Sequence, residues 1–261
     1  METGRYVRAA TIGPVARDGW YRTFGSEVLS MRTVITAMVL TAVLWMGQAV
    51  AVPSPAVAAD PPAVVTLFDG KSLDGWVGRL VDPNVKTEDV WSVQDGILVC
   101  KGEPLGYLET KQAFDDFILV VEWRWAPGKE PGNSGVLLRI NGEPIGFMPK
   151  CVEAQLKSGS AGDIWAFRGA SVTGPEDRFR KVDNPALGEF VGVGKIEAAE
   201  NEPGQWNKYV IVCYEDTLTL FVNGKKVNEA GGLNLDAGTI GLQSEGAEIH
   251  FRTVTLVPLS H

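Results

Sequence analysis

Short runs of alternating residues closed by tight-turn dipeptides constrain this chain more than any other feature. From Phe117 to Trp125, Leu119, Val121, Trp123 and Trp125 fall on one side while Glu122 and Arg124 fall on the other, the period of two that a half-buried strand requires. Asp95-Gly96 lies inside residues 91–99, and Asn223-Gly224 joins residues 217–222 to 225–228. Both dipeptides accept the positive φ of a primed two-residue turn, so each predicts a hairpin. Residues 64–68, 136–140, 206–214, 239–243 and 248–256 read as further strands, the last with Ile249, Phe251 and Val254 facing the core and His250 and Arg252 opposite. No stretch sustains a helical period over three turns, and 30 Gly and 15 Pro punctuate the chain. These patterns predict an all-β antiparallel sandwich or jelly roll.

The N-terminal stretch carries export chemistry. Arg32 follows Met31 as a basic start, residues 34–46 are mainly apolar and uncharged, and Ala56-Val57-Ala58 or Ala49-Val50-Ala51 offers a small-residue cleavage site. The apolar run is short for a membrane span and Pro53 and Pro55 soon follow it. The expectation is an upstream extension, a signal peptide starting near Met31 and a linker over residues 1–59. Residues 60–261 would then form one domain, secreted or held in the periplasm or at the cell surface.

The net charge is −8, and residues 1–59 are more basic than acidic, so the remaining chain is more acidic still. Such a surface repels phosphate backbones and anionic lipid, which argues against nucleic acid and polybasic membrane contact. The three cysteines, Cys100, Cys151 and Cys213, show no metal-type spacing. In an exported protein one pair could bridge and leave one over, and the sequence does not say which. The two histidines are His250 and the terminal His261, which leaves Cys/His and Ser/His/Asp catalysis without a plausible imidazole. Cys151 is read as a small residue filling space at a strand start.

Chemistry concentrates between Asn133 and Gly169. Alternation puts Glu153 and Gln155 on one strand face and Val152, Ala154 and Leu156 on the other. Arg139 closes the preceding strand, and Gly162-Asp-Ile-Trp-Ala-Phe-Arg-Gly169 follows with Asp163, Trp165 and Arg168. A face carrying a carboxylate, an amide, an arginine and nearby aromatics suits a sugar. Residues 169–203, rich in Gly, Pro and charge, read as a long loop, either a lid over a site or a plain surface insertion.

Eight motifs occur in order: Leu67-Phe-Asp-Gly-Lys-Ser-Leu-Asp-Gly-Trp76; Trp91-Ser-Val-x-Asp-Gly-x-Leu98; Asp116-Phe-x-Leu119 with Glu122-Trp-Arg124; Asn133-Ser-Gly-Val136; Glu153-x-Gln155; Gly204-x-Trp-Asn207; Asn223-Gly224; and Gly241-Leu-Gln243 with Phe251-Arg252. Together, over about residues 64–259, they resemble the 3-keto-disaccharide hydrolase family. The resemblance implies a concanavalin A-like β-sandwich and cleavage of glycosides whose sugar is oxidised at carbon 3. Such a ketone acidifies the hydrogen on carbon 2, so a base can remove it, the group on carbon 1 can leave, and water can add to the enone. The site needs a base, a stabiliser for the enolate oxygen and a donor for the leaving group.

On this reading Glu153 is the expected base and Arg139 the group that binds the enolate or a hydroxyl. Glu245, two residues after Gln243, is a second acid. Asn133, Gln155, Asp163, Arg168 and Gln243 are expected to contact substrate, and Trp165 to stack on a pyranose or pack beneath the loop. Where many relatives resemble Gln-Asp-His-Gly, this chain reads Gln243-Ser-Glu-Gly246. Carboxylates and amides suit a hard divalent cation such as calcium, but no Asp-x-Asp cluster marks a metal site. Two alternatives share the expected fold. One is an ordinary glycoside hydrolase, whose Glu-x-Asp-x-x-Glu spacing is only begun by Glu153; the other is a lectin-like glycan-binding module.

Overall fold

The computed structural model describes residues 63–260; the signal peptide and linker expected over residues 1–59 lie outside the described residues. Along the chain run β1 (Val65–Phe68), β2 (Trp76–Leu80), the single-turn helix α1 (Thr87–Val90), β3 (Trp91–Gln94), β4 (Ile97–Cys100), β5 (Gly106–Thr110), β6 (Phe117–Trp125), β7 (Gly135–Ile145) and β8 (Met148–Gln155). They are followed by β9 (Ile164–Phe167), β10 (Phe179–Asn184), β11 (Gly188–Val193), β12 (Asn207–Tyr214), β13 (Thr217–Val222), β14 (Lys225–Ala230), β15 (Thr239–Ser244) and β16 (Ile249–Pro258). These strands form two eight-stranded sheets. One has the order β14-β13-β12-β6-β16-β4-β3 with β1 also on β16, and the other the order β10-β11-β9-β8-β7-β15-β5-β2.

The expected antiparallel β-sandwich is thus observed, and its core follows from the alternation. Phe117, Leu119, Val121, Trp123 and Trp125 of β6 enter one core with Val152, Ala154 and Leu156 from the facing sheet. Each large apolar side chain removed from water contributes about 1.5–3 kcal/mol. Asn223 and Gly224 both have positive φ, 50° and 82°, as a primed turn requires. Ile249, Phe251 and Val254 are all core residues, because a register shift between Phe251 and Thr253 skips Arg252 and keeps Val254 inward.

Residues 169–203 are more ordered than the loop expected from their composition. Within them β10 and β11 pair as a hairpin, and β11 extends the second sheet by pairing with β9. Phe179-Arg-Lys-Val-Asp-Asn184 is mostly exposed, so its side chains meet solvent on both faces and the sequence lacks the one-sided pattern that announces a strand.

Candidate functional site

Strand β7 lies between β8 and β15. The register sets Gly135 against Gln155, Leu137 against Glu153, and Val136 against both Ala154 and Leu242. Because Val136, Ala154 and Leu242 point into the core, alternation sends Glu153, Gln155 and Gln243 to the outer face of the second sheet. Beyond the strand ends an isolated bridge pairs Asn133 with Glu245. Five of the expected residues are thereby gathered, Glu153, Gln155 and Gln243 on strands β8 and β15 and Asn133 and Glu245 just beyond the ends of β7 and β15.

Two residues that the sequence showed only as members of a motif, with no role assigned, hold this arrangement. A Cβ at Gly135 would fall 1.9 Å from Glu153 Oε1, so the Glu153 carboxyl lies over Gly135, on the way from β8 towards β15. Only glycine leaves that space. Ser134 Oγ donates a hydrogen bond to the Gln243 carbonyl oxygen at 2.8 Å, pinning β15 beside the carboxyl. The signal for both was the small-residue run Asn133-Ser134-Gly135 leading into an apolar strand.

Gln155 does not reach outwards as a sugar ligand. Its Oε1 accepts from the backbone N–H groups of Leu156 at 2.9 Å and Lys157 at 2.8 Å, and its Nε2 faces Glu153 Oε2 at 3.4 Å. The other Glu153 oxygen, Oε1, and both amide atoms of Gln243 are buried without a hydrogen-bond partner. Leaving such a group unsatisfied costs about 1–3 kcal/mol, more when it is charged. Three buried polar atoms without partners on one patch mark a place where a polar ligand completes the bonding.

The carboxyls differ in environment. Burial pushes Glu153 well above the usual carboxylate range, and the charges of Glu245 and Asp163 push it further the same way. Burial also raises Glu245, but a hydrogen bond from Asn133 and the charge of Lys157 oppose the shift. Asp163 accepts the backbone N–H of Lys195 at 2.8 Å through Oδ1, which makes it an anchor for the segment after β11 as well as a charge near Glu153. Trp165 is the direct cross-strand partner of Glu153 and meets Phe190 edge-on, with centroids 5.4 Å apart. It stands at the margin of an apolar group that includes Tyr107, Leu137, Met148, Cys151 and Phe167.

Both arginines expected at the site are engaged elsewhere. Alternation would set Arg139 on the face of Leu137, but Arg139 has φ 48° at an irregularity between Leu138 and Asn141, and this turns its side chain away. Its guanidinium is almost fully buried and bonds to the carbonyl oxygens of Asp115, Glu215 and Leu235 and to Asp116 Oδ1 at 2.7 Å. A further ion-pair contact reaches Asp115 Oδ1 at 3.3 Å. Arg168 donates from Nη2 to the carbonyl oxygens of Ile145 at 2.8 Å and Ala186 at 3.4 Å, tying the β7–β8 turn to the β10–β11 turn. Arg139 is therefore a structural clamp on the strands, and Arg168 a clamp on the turns.

Other expectations resolve simply. Cys100, Cys151 and Cys213 are all free and buried, so no bridge forms among them. Burial holds the Cys151 thiol well above its ordinary value, which suits packing rather than nucleophilic attack. His250 sits on the other sheet, between Arg124 and Glu248. Among the described residues, no group of three or more His, Cys, Asp or Glu is arranged to hold a metal ion.

The sequence profile of the 3-keto-alpha-glucoside-1,2-lyase-like domain matches residues 63–257. The chain belongs to this family. Membership makes it a carbohydrate-active protein, and the gathered carboxyls and amides lie within the matched span. A protein of Bacteroides thetaiotaomicron named 3-keto-disaccharide hydrolase is 22% identical over 246 residues, covering 75% of this chain and 78% of that protein. Two crystal structures from Parabacteroides distasonis, of proteins provisionally classed as glycosyl hydrolases, share the family member's fold. One is 18% identical with a TM-score of 0.54, covering 76% of this chain and 94% of the other. The second is 22% identical with a TM-score of 0.52, covering 76% and 100%.

Proposed function

We propose that the protein cleaves glycosides oxidised at carbon 3, by elimination across carbons 1 and 2 followed by hydration. The observation that carries this reading is the patch of unpartnered buried atoms, Glu153 Oε1 and both amide atoms of Gln243, beside a second raised carboxyl, Glu245. Family membership and the name of the Bacteroides relative supply the substrate class.

The environments argue for roles opposite to those expected from the sequence. Glu153, the more deeply buried carboxyl, keeps its proton to higher pH, and the charge of Glu245 helps to keep it there. Glu245 ionises first and is the base. It removes the hydrogen from carbon 2, and the electron pair enters the enolate with the carbon 3 oxygen. The Gln243 N–H donates to that oxygen as its charge develops. As the ketone re-forms, a double bond forms between carbons 1 and 2, the bond from carbon 1 to the glycosidic oxygen breaks, and Glu153 protonates the leaving oxygen. Water then adds at carbon 1 and a proton returns to carbon 2, giving the free 3-keto sugar. Paired groups whose environments drive their proton affinities apart divide acid and base work in this way.

The test is incubation with a 3-keto-glucoside and its unoxidised parent. Release from the keto substrate alone is expected; release from the parent supports an ordinary hydrolase, and binding without release supports a lectin. With an alkoxide leaving group, Glu245→Gln and Glu153→Gln should each lose about 10²–10⁴-fold in kcat. With an aryl leaving group that departs unprotonated, Glu153→Gln should regain most of its rate and Glu245→Gln should not. Equal recovery of both variants would overturn these roles. We also propose that residues 60–261 act outside the cytoplasm after removal of the N-terminal segment, which sequencing the N-terminus of the exported protein tests.

A further inference from the structure

Gln155 is the best-determined amide of the site. Its Oε1 takes two backbone N–H groups, Leu156 at 2.9 Å and Lys157 at 2.8 Å. Carbonyl oxygen accepts and amide nitrogen cannot, so this pair fixes which end of the amide faces which way. The end left over is Nε2, a donor, and it faces Glu153 Oε2 at 3.4 Å. The backbone of Gln155 is itself held, since Gln155 N–H donates to the Asp163 carbonyl at 3.0 Å and the Tyr209 hydroxyl donates to the Gln155 carbonyl at 3.3 Å. On the other side of the carboxyl, Oε1 sits over Gly135 with no partner.

We propose that Gln155 is a positioning residue for Glu153: its amide N–H, held in one orientation by the backbone, occupies Oε2 and confines the acidic proton to Oε1, the buried oxygen that has no protein partner. A carboxylic acid carries one proton on two oxygens. An oxygen that already receives a hydrogen bond from an N–H acts as the acceptor, and a proton placed there would meet that N–H head-on. The order is therefore backbone N–H to Gln155 Oε1, Gln155 Nε2–H to Glu153 Oε2, and Glu153 Oε1–H to the ligand. This inference rests on the proposed acid role of Glu153 but makes a claim about Gln155 that can be read without turnover. Cys151 and Glu153 share the strand with Gln155, and Asp163, Tyr209 and Glu245 are the other titratable groups that act on Glu153 or Gln155 from neighbouring segments.

Gln155→Met keeps the length and removes the hydrogen bonds, and Gln155→Glu keeps the acceptor for the two backbone N–H groups. The first readout is the infrared carbonyl stretch of protonated Glu153, identified as the band missing in Glu153→Gln. The hydrogen bond to Oε2 lowers that frequency, so the band should rise in Gln155→Met; an unmoved band overturns the proposal whether or not the enzyme turns over the keto substrate. In kinetics, Gln155→Met should lose about tenfold or more of the acid contribution in kcat on alkoxide substrates, with KM little changed and aryl substrates spared. Equal loss on both substrates would mark a merely structural role. Gln155→Glu should be active at acid pH, where its added carboxyl is protonated and donates to Oε2, and should fail as that proton is lost. A pH profile parallel to the wild type would also overturn the proposal. If the wild type released nothing from keto or parent glycosides, the elimination reading would fail while the infrared shift still decided the role of Gln155.

Discussion

Glu153→Gln keeps the shape of the side chain and removes its titration, so the pH dependence of stability isolates what burial does to this one group. In the unfolded chain Glu153 has a pKa of about 4.3; in the fold, burial and the charges of Glu245 and Asp163 hold it well higher. Below the unfolded value both states carry the proton and the group adds no slope. Between the two values the folded protein keeps a proton that the unfolded chain releases, so wild-type stability falls with rising pH by about 1.4 kcal/mol per unit. Above the folded value both states have released it, and the loss is complete. The glutamine variant lacks this slope. Relative to wild type it should gain about 1.4 kcal/mol for each pH unit between the unfolded and the folded values, or roughly 3–6 °C in Tm per unit for a domain of this size. Calorimetric melts of both proteins across pH at fixed ionic strength read the difference directly. Any constant effect of the introduced amide cancels in the slope. The pH at which the difference levels off is the folded pKa. A Tm difference that stays constant from pH 5 to pH 7 would refute the argument that Glu153 is buried in neutral form.

Two other substitutions separate the site from its frame. Gly135→Ala puts a methyl 1.9 Å from the present position of Glu153 Oε1; it should lower kcat on the 3-keto substrate at least tenfold while far-ultraviolet circular dichroism stays native, and a wild-type rate would show that the carboxyl need not lie there. Arg139→Met breaks a buried ion pair with Asp116 and should cost about 3–5 kcal/mol in denaturant unfolding, with kcat unchanged at a temperature where the variant is folded; a selective loss of kcat would return Arg139 to the site.

Local pattern gave Glu153 and Gln155 their common face because alternation holds through β8, whereas Gln243 joins them only through the pairing of β15 and β8 with β7. The same rule misplaced Arg139, because a single residue at φ 48° interrupts β7 and nothing in Leu137-Leu-Arg-Ile-Asn141 announces it. Asp163 and Trp165 were found near the site, but Arg168 was not, since its partners are the carbonyls of two turns distant in sequence. Gly135 was visible as part of a motif. Its reason was not, because the atom that needs the space belongs to the neighbouring strand.

By itself the sequence determined that the chain folds as an antiparallel sandwich, which faces of its strands are apolar, and that Glu153 and Gln155 share a face, because these depend on periodicity and turn chemistry within a few residues. Only the tertiary structure decided what those groups do. It set Glu153 over Gly135, turned Gln155 into a fixed donor, left the side-chain amide of Gln243 without partners and engaged the guanidinium of Arg139 elsewhere. Proton affinity and hydrogen-bond demand depend on which strands lie side by side and how far water is excluded between them, and neither is written at any single position in the chain.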